Sequence, residues 1–218
     1  MSTIHQLKRL LSGITRMSLA PMETKSSVAS VTSIASQPIA VDQEEALMNE
    51  ICITVNKDDL AIGSRTKRDC HLMDNIDQGL LHRAFSVLLF NKKGQFLLTQ
   101  RASTKVTFPN YYTNACCSHP LFTTLEREEK DCLGVRRAAQ RKLFQELGID
   151  PTTITLDDIK FITRILYKSP SPNEPIWGEH ELDYILIIHK DVEIKPNPNE
   201  VREAVFLGKE DLNSYLGK

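Results

Sequence analysis

The 218-residue chain has one Trp, only 6% aromatic residues and no charge excess of either sign: 27 Lys and Arg against 28 Asp and Glu give a formal net charge of -1. Without a basic surplus no overall field concentrates nucleic acid or an anionic membrane, so any anion site must be local. Long apolar runs are missing as well. Ala84 to Phe90, broken by Ser86, and Tyr184 to Ile188 are strand-sized, far short of the ~20 residues a membrane-spanning helix needs. Five cysteines are too few and odd in number for a disulfide framework, which points to free thiols in a reducing compartment. There is no CxxC, no HExxH and no repeat at a fixed period. What is present, 41% hydrophobic and 25% charged residues, is a globular composition able to bury one sizeable core.

Residues 1–41 differ from the rest: Glu23 is their only acid, against Lys8, Arg9, Arg16 and Lys25, and they hold eight Ser. Ile4, Leu7, Leu11, Ile14 and Met17 recur at helical spacing. The pattern predicts a flexible leader, either a mitochondrial transit peptide or an extension of a cytosolic protein. Met17 and Met22 are alternative starts that would delete it.

From Asp42 the chain turns globular, with an α+β order dominated by strands. Glu50 to Val55 and Leu60 to Gly63 flank a polar turn, and His82 to Phe90 and Gln95 to Gln100 flank Asn91-Lys92-Lys93-Gly94. Residues 102–120 are too polar and Pro-punctuated for one long element and read as loop with short strands. Asp131 to Leu147 reads as the main helix, because Val135, Ala139, Leu143 and Leu147 repeat every fourth residue and Gly148 marks a stop. Phe161 to Tyr167, Ile176 to Lys190 and a stretch around Val205 are predicted strands, and a last helix starts at Lys209.

Several residues invite chemistry. In Glu179-His180-Glu181-Leu182-Asp183 the strand period of two puts the three acids on one face and His180 on the other. Such a row is either a solvated edge or the wall of a cation site. His71, His82 and His119, added to Glu179 and Glu181, make a donor set suited to Zn²⁺ or Mn²⁺, drawn from four separated segments. Glu146 lies in the last turn of the main helix, where the macrodipole disfavours an anion. It forms either a surface pair with Lys142 or a Mg²⁺ ligand beside an anion-facing lysine. Lys67, Arg68, Arg101 and Lys105 cluster in sequence near these positions, as a diphosphate would require.

Leu80-Leu81-His82-Arg83-Ala84-Phe85-Ser86, the loop Thr113 to Pro120, Arg136 to Arg141 and Trp177-Gly178-Glu179-His180-Glu181 together closely resemble the type I isopentenyl-diphosphate delta-isomerases, a likeness that runs from about Asn49 to the end of the chain. The resemblance implies a Nudix-type fold, a mixed β-sheet sandwiched by helices. Where Nudix hydrolases have Arg-Glu this chain has Arg141-Lys142, and of a Glu pair only Glu146 remains, after Gln145. Loss of those acids implies a diphosphate that is held and not hydrolysed.

Carried over by position, the resemblance makes His71, His82, His119, Glu179 and Glu181 ligands of one Zn²⁺, Mn²⁺ or Mg²⁺, and makes Glu146 the residue that meets a Mg²⁺ on the substrate diphosphate. Lys67, Arg101, Lys105 and Lys142 become diphosphate-binding residues, Cys117 and Glu181 the catalytic pair, and Tyr167 an assisting tyrosine. Shifting the double bond of isopentenyl diphosphate adds a proton at C4 and removes one at C2, so proton-transfer groups are needed on opposite faces of the substrate. A cationic site is expected to lower the Cys117 pKa. Cys116 is expected to be buried and inert, Cys52, Cys70 and Cys132 to act as small hydrophobes, and Trp177 either to face the developing cation or simply to pack.

Relatives in this family run on past Lys218 through a helical stretch with another Trp, so the expected domain, 42–218, is a C-terminally short isomerase that either has reduced activity, borrows a lid from a partner subunit or closes differently. A Nudix hydrolase and a binder without activity are the competing readings. The expected partner is a small isoprenyl diphosphate and not nucleic acid, oligomeric state is unreadable, and no Ser-Lys-Leu peroxisomal signal closes the chain.

Overall fold

The computed structural model describes residues 43–172 and 174–216; the predicted leader lies outside them. Their order is α1 (Gln43–Asn49), β1 (Ile51–Val55), β2 (Ala61–Thr66), α2 (Lys67–His71), α3 (Met73–Asp77), β3 (His82–Phe90), β4 (Phe96–Arg101), β5 (Tyr112–Thr113), β6 (Cys116–Ser118), α4 (Leu133–Leu147), β7 (Lys160–Pro170), β8 (Gly178–His189), β9 (Val201–Leu207) and α5 (Lys209–Leu216).

The mixed sheet is organised around β3. It runs parallel to β8 along its full length, from His82 opposite Glu181 to Phe90 opposite His189. It pairs antiparallel with β6, which sets Ser86 opposite Cys117, and meets β1 at Thr54 opposite His82. A parallel strand covered on both faces must be apolar on both, which is why β3 reads as a near-continuous hydrophobic run. Phe85, Val87 and Leu89 face Val135, Ala139, Leu143 and Leu147 of α4, while Leu88 joins Ile185, Phe96, Leu98 and Leu212 of α5 in a second core. The sheet is thus held between helices, as the resemblance implies.

That second face changes character along its length. Beyond Leu88 and Ile185 the same period-two positions are Ser86, Ala84 and His82 on β3 and Asp183, Glu181 and Glu179 on β8, polar except for the small Ala84. One continuous sheet face is therefore apolar core at one end and polar cavity at the other.

Local chemistry explains the boundaries. Gly148 closes α4 in the left-handed region at φ 62°, with its N–H on Phe144 O and that of Ile149 on Leu143 O. An added Cβ there would meet Lys195 O at 2.6 Å. At the other end the expected helix start at Asp131 is displaced to Leu133, because Asp131 and Cys132 both adopt positive φ. β7 runs on through Ser169 and Pro170, residues expected to be loop. Helices α2 and α3 were not anticipated; Thr66 caps α2 by accepting from Asp69 N–H at 3.1 Å. Among the described residues no helix is long and apolar enough to cross a membrane.

Candidate active site

His71 ends α2, His82 opens β3, His119 follows β6, and Glu179 and Glu181 stand on β8. One ligand atom from each lies within 4.8 Å of all the others, and the three imidazole centroids form a triangle of 4.8–5.0 Å sides. The acid row is thus an interior wall and not a solvated edge, since β8 lies between β3 and β7.

The cluster has the marks of a cation site. His71 Nδ1 donates to Lys67 O at 2.6 Å, which fixes the ring so that Nε2 is directed at the cluster, 3.0 Å from Glu179 Oε2. Glu181 Oε1 lies 2.8 Å from His119 Nε2 and 3.5 Å from His82 Nε2. Both ring nitrogens of His82, Nδ1 of His119 and Oε2 of Glu179 are buried with no aligned hydrogen bond; the His71–Glu179 approach is close without being well directed. Burial lowers the His119 pKa well below the ordinary value, helped by His82 and His71. His71, although burial opposes it, is raised to about 9 by Glu179. Buried imidazoles this close cannot all carry protons, and two carboxylates with unpartnered nitrogen donors suit a divalent cation.

Next to the cluster is the thiol. Cys116 and Cys117 on β6 point to opposite sides, Cys116 into the α4 core and Cys117 into the cavity. Cys117 Sγ donates to Asn114 Oδ1 at 2.8 Å and lies 3.3 Å from Ser86 Oγ and 3.5 Å from Thr113 Oγ1. Ser86 in turn donates to Asp183 Oδ2 at 2.8 Å, while Asp183 Oδ1 is buried without a partner. Among the protein's own groups, burial first and then Asp183 push the Cys117 thiol up to about 12, against the hydrogen bonds from Ser86 and Thr113. Tyr167, buried on β7 directly across from Glu181, lines the same cavity.

Lys67, Arg101, Lys105, Lys142 and Glu146 line the same cavity as Cys117 and Glu181. Lys142 and Glu146 are buried, 3.5 Å apart, so they are not a surface pair. Arg101 secures the loop beside Lys105 by donating from Nε and Nη2 to the carbonyl of Thr107, at 3.1 and 2.7 Å. Arg141, by contrast, turns away to pair with Glu126, 2.6 Å from Nε to Oε1. Two predicted site residues are not among those lining the cavity: His82, fully buried behind it in the imidazole cluster, and Trp177. Trp177 bridges to Leu72 through its backbone and carries Arg68 6.0 Å from its ring centre.

Sequence reasoning missed Ser86, Thr113, Asn114, Glu50 and Glu200, and left Asp183 without a role. Ser86 was accessible through the period of two from His82. Glu50 and Glu200 carry no local signal, since what places them is contact with lysines far along the chain.

Residues 80–217 match the NUDIX domain family model. The chain is 50% identical over 177 residues to isopentenyl-diphosphate Delta-isomerase 1 of Bos taurus, covering 81% of this chain and 77% of that one. It is 50% identical over 169 residues to isopentenyl-diphosphate delta-isomerase 2 of Homo sapiens, covering 78% and 74%, and 50% identical over 177 residues to isopentenyl-diphosphate Delta-isomerase I of Clarkia breweri, covering 81% and 61%. Among solved structures, a Deinococcus radiodurans protein aligns with a TM-score of 0.49 at 19% identity, covering 77% of this chain and 89% of that one. With half of the aligned residues identical to relatives over about three quarters of their length, and with the NUDIX model covering its larger part, the chain belongs to the isopentenyl-diphosphate delta-isomerase family.

Proposed function

We propose that this chain interconverts isopentenyl diphosphate and dimethylallyl diphosphate, with Cys117 and Glu181 as the proton-transfer pair. The observation that carries the reading is one cavity lined by a thiol, a carboxylate and a separate group of four cations. The cations suit the diphosphate, and the pair then meets the five-carbon chain. One of the two side chains supplies a proton at C4 and the other removes one at C2, on opposite faces of the alkene. Tyr167, across the strand pair from Glu181, steadies that carboxylate.

His71, His82, His119, Glu179 and Glu181 would hold a divalent cation, Zn²⁺, Mn²⁺ or Mg²⁺, and Glu146 would meet a Mg²⁺ carried by the diphosphate. A bound cation there supplies positive charge that orients Glu181 and modulates its acidity. The protein's own part is to hold the substrate still and keep water from the cationic intermediate, which the buried surroundings of Cys117, Asp183 and Tyr167 favour. Hydrolysis is disfavoured, because Lys142 and Gln145 stand where a Nudix hydrolase carries acids.

The test is product analysis of the purified chain with isopentenyl diphosphate, Mg²⁺ and Zn²⁺ or Mn²⁺, beside Cys117→Ala and Glu181→Gln. Dimethylallyl diphosphate without phosphate release, lost in both variants, is the expected result. Phosphate release would replace the reading with a hydrolase, and neither product with metal retained would leave a binder without activity.

A further inference from the structure

The lysines lining the cavity are not left to solvent or substrate alone. Lys67 Nζ lies 2.6 Å from Glu50 Oε2, and Lys142 Nζ lies 3.7 Å from Glu50 Oε1, so one carboxylate spans two lysines with its two oxygens. Lys105 Nζ lies 2.6 Å from Glu200 Oε2, whose other oxygen accepts from Gln43 Nε2 at 3.0 Å. Neither Glu50 nor Glu200 lines the cavity; both stand behind the lysines that do. Glu50 is set by the junction of α1 and β1. Glu200 is set by a turn tied to α4, where Asn197 N–H donates to Glu146 O and Ala102 N–H to Glu200 O.

These are not loose surface pairs, since the side chains of Lys67, Lys105 and Lys142 are 15%, 12% and 5% exposed. Burial disfavours the charge of Glu50, yet Lys67 and Lys142 hold its carboxyl well below the usual range, and Glu200 is lowered chiefly by Lys105 against the same penalty. Lys67, Arg101, Lys105 and Lys142 against Glu50, Glu146 and Glu200 leave one net positive charge. A single phosphoryl group already carries about -1.5 to -2, and a diphosphate more. A bare diphosphate brought against these lysines would also meet three nearby carboxylates.

We propose that Glu50 and Glu200 are positioning carboxylates that set the anion selectivity of the cavity: they fix Lys67, Lys142 and Lys105 in place while cancelling most of their charge, so that the cavity accepts a diphosphate complexed to a divalent cation and rejects the bare anion. This inference rests on the diphosphate reading above. It gives the internal ion pairs a functional reason, because four uncancelled cations would bind any polyphosphate and release the product slowly.

The test is calorimetric binding of inorganic pyrophosphate to the full chain, with Mg²⁺ and in Mg²⁺-free buffer, for the wild type, Glu50→Gln, Glu200→Gln and Glu200→Asp. Chains are compared at the same metal, so whatever the His/Glu cluster holds cancels. Either Gln variant is expected to bind bare pyrophosphate about 10-fold more tightly while its affinity for the Mg²⁺ complex moves less than about 3-fold, and Glu200→Asp, which keeps the charge, is expected to retain the wild-type ratio. A merely structural role would weaken both forms together, and that result, or an unchanged ratio, overturns the proposal. The two positions lie on separate elements, so misfolding of one variant leaves the other to decide. A wild type that binds pyrophosphate in neither form and forms no dimethylallyl diphosphate overturns the diphosphate reading and this inference with it.

Discussion

Lys67 and His71 stand one helical turn apart on α2 and are joined by the 2.6 Å hydrogen bond from His71 Nδ1 to the Lys67 carbonyl. The same Lys67 directs its ammonium to Glu50. A five-residue helix therefore ties the imidazole cluster to the cationic wall, and the ring orientation that directs His71 Nε2 at the cluster is set by the backbone of a residue proposed to bind the diphosphate.

Removing an imidazole from the cluster should release metal before it affects the fold. His82 is fully buried and both its ring nitrogens are without hydrogen bonds. For His82→Ala the divalent-metal affinity is expected to fall by at least about 10–100-fold, the range seen when even an outer partner of a ligand is lost. Competition with a chromogenic chelator measures this, and wild-type affinity in the variant would remove His82 from the ligand set.

The adjacent cysteines should separate chemistry from packing. Cys117→Ala is expected to abolish isomerisation with the unfolding midpoint nearly unchanged, because the thiol faces the cavity. Cys116→Ala is expected to keep turnover and lose about 0.5–3 kcal/mol of stability, because that side chain is packed into the α4 core. Turnover assays and urea unfolding on the two variants check both halves.

Substrate affinity should fall in mild alkali. Burial and Arg101 lower the Lys105 pKa to about 8, with Glu200 opposing them. Above pH 8 the free chain loses this ammonium, so the KM for isopentenyl diphosphate is expected to rise between pH 8 and 9, and Lys105→Arg to flatten the profile. The sign for stability is the reverse. The folded value lies below the unfolded 10.5, so the unfolded chain binds more protons between about pH 8 and 10.5, and this group's contribution to stability rises with pH across that window. A KM–pH series on both chains tests the kinetic half, and pH-dependent urea midpoints the other.

Asp59, held at φ 66° in the β1–β2 turn, accepts from Arg83 Nε at 2.9 Å, from Arg164 Nη1 at 2.5 Å and from the Tyr184 hydroxyl. Arg83 is buried beside His82. Asp59→Ala leaves that guanidinium the residue-59 carbonyl at 2.8 Å and Glu129 at 3.4 Å as partners, and should cost about 1–3 kcal/mol, the range for a buried polar group that loses a hydrogen-bond partner. Denaturant unfolding measures the loss, and a change below 1 kcal/mol would show that the network is dispensable.

Period and punctuation made much of the molecule legible in advance. The β3 span, the α4 stop at Gly148, the face shared by Glu179, Glu181 and Asp183, and the opposed directions of Cys116 and Cys117 all follow from strand alternation and local turn chemistry. Those rules act over a few residues and need no partner. The start of α4 was misjudged because helical spacing does not report the left-handed backbone at Asp131 and Cys132. Helix α2 was missed because one turn is too short to show a period.

By itself, then, the sequence determined which residue types were available, which face of each strand they occupy and, through a long resemblance, the family. Only the tertiary structure decided that Ser86 meets Cys117, that Glu50 bridges Lys67 and Lys142, that Glu200 backs Lys105 and that Asp59 gathers Arg83, Arg164 and Tyr184. Those contacts join residues 17 to 125 positions apart. They depend on strand register and chain crossing, which the sheet as a whole settles through burial, and no local pattern encodes them.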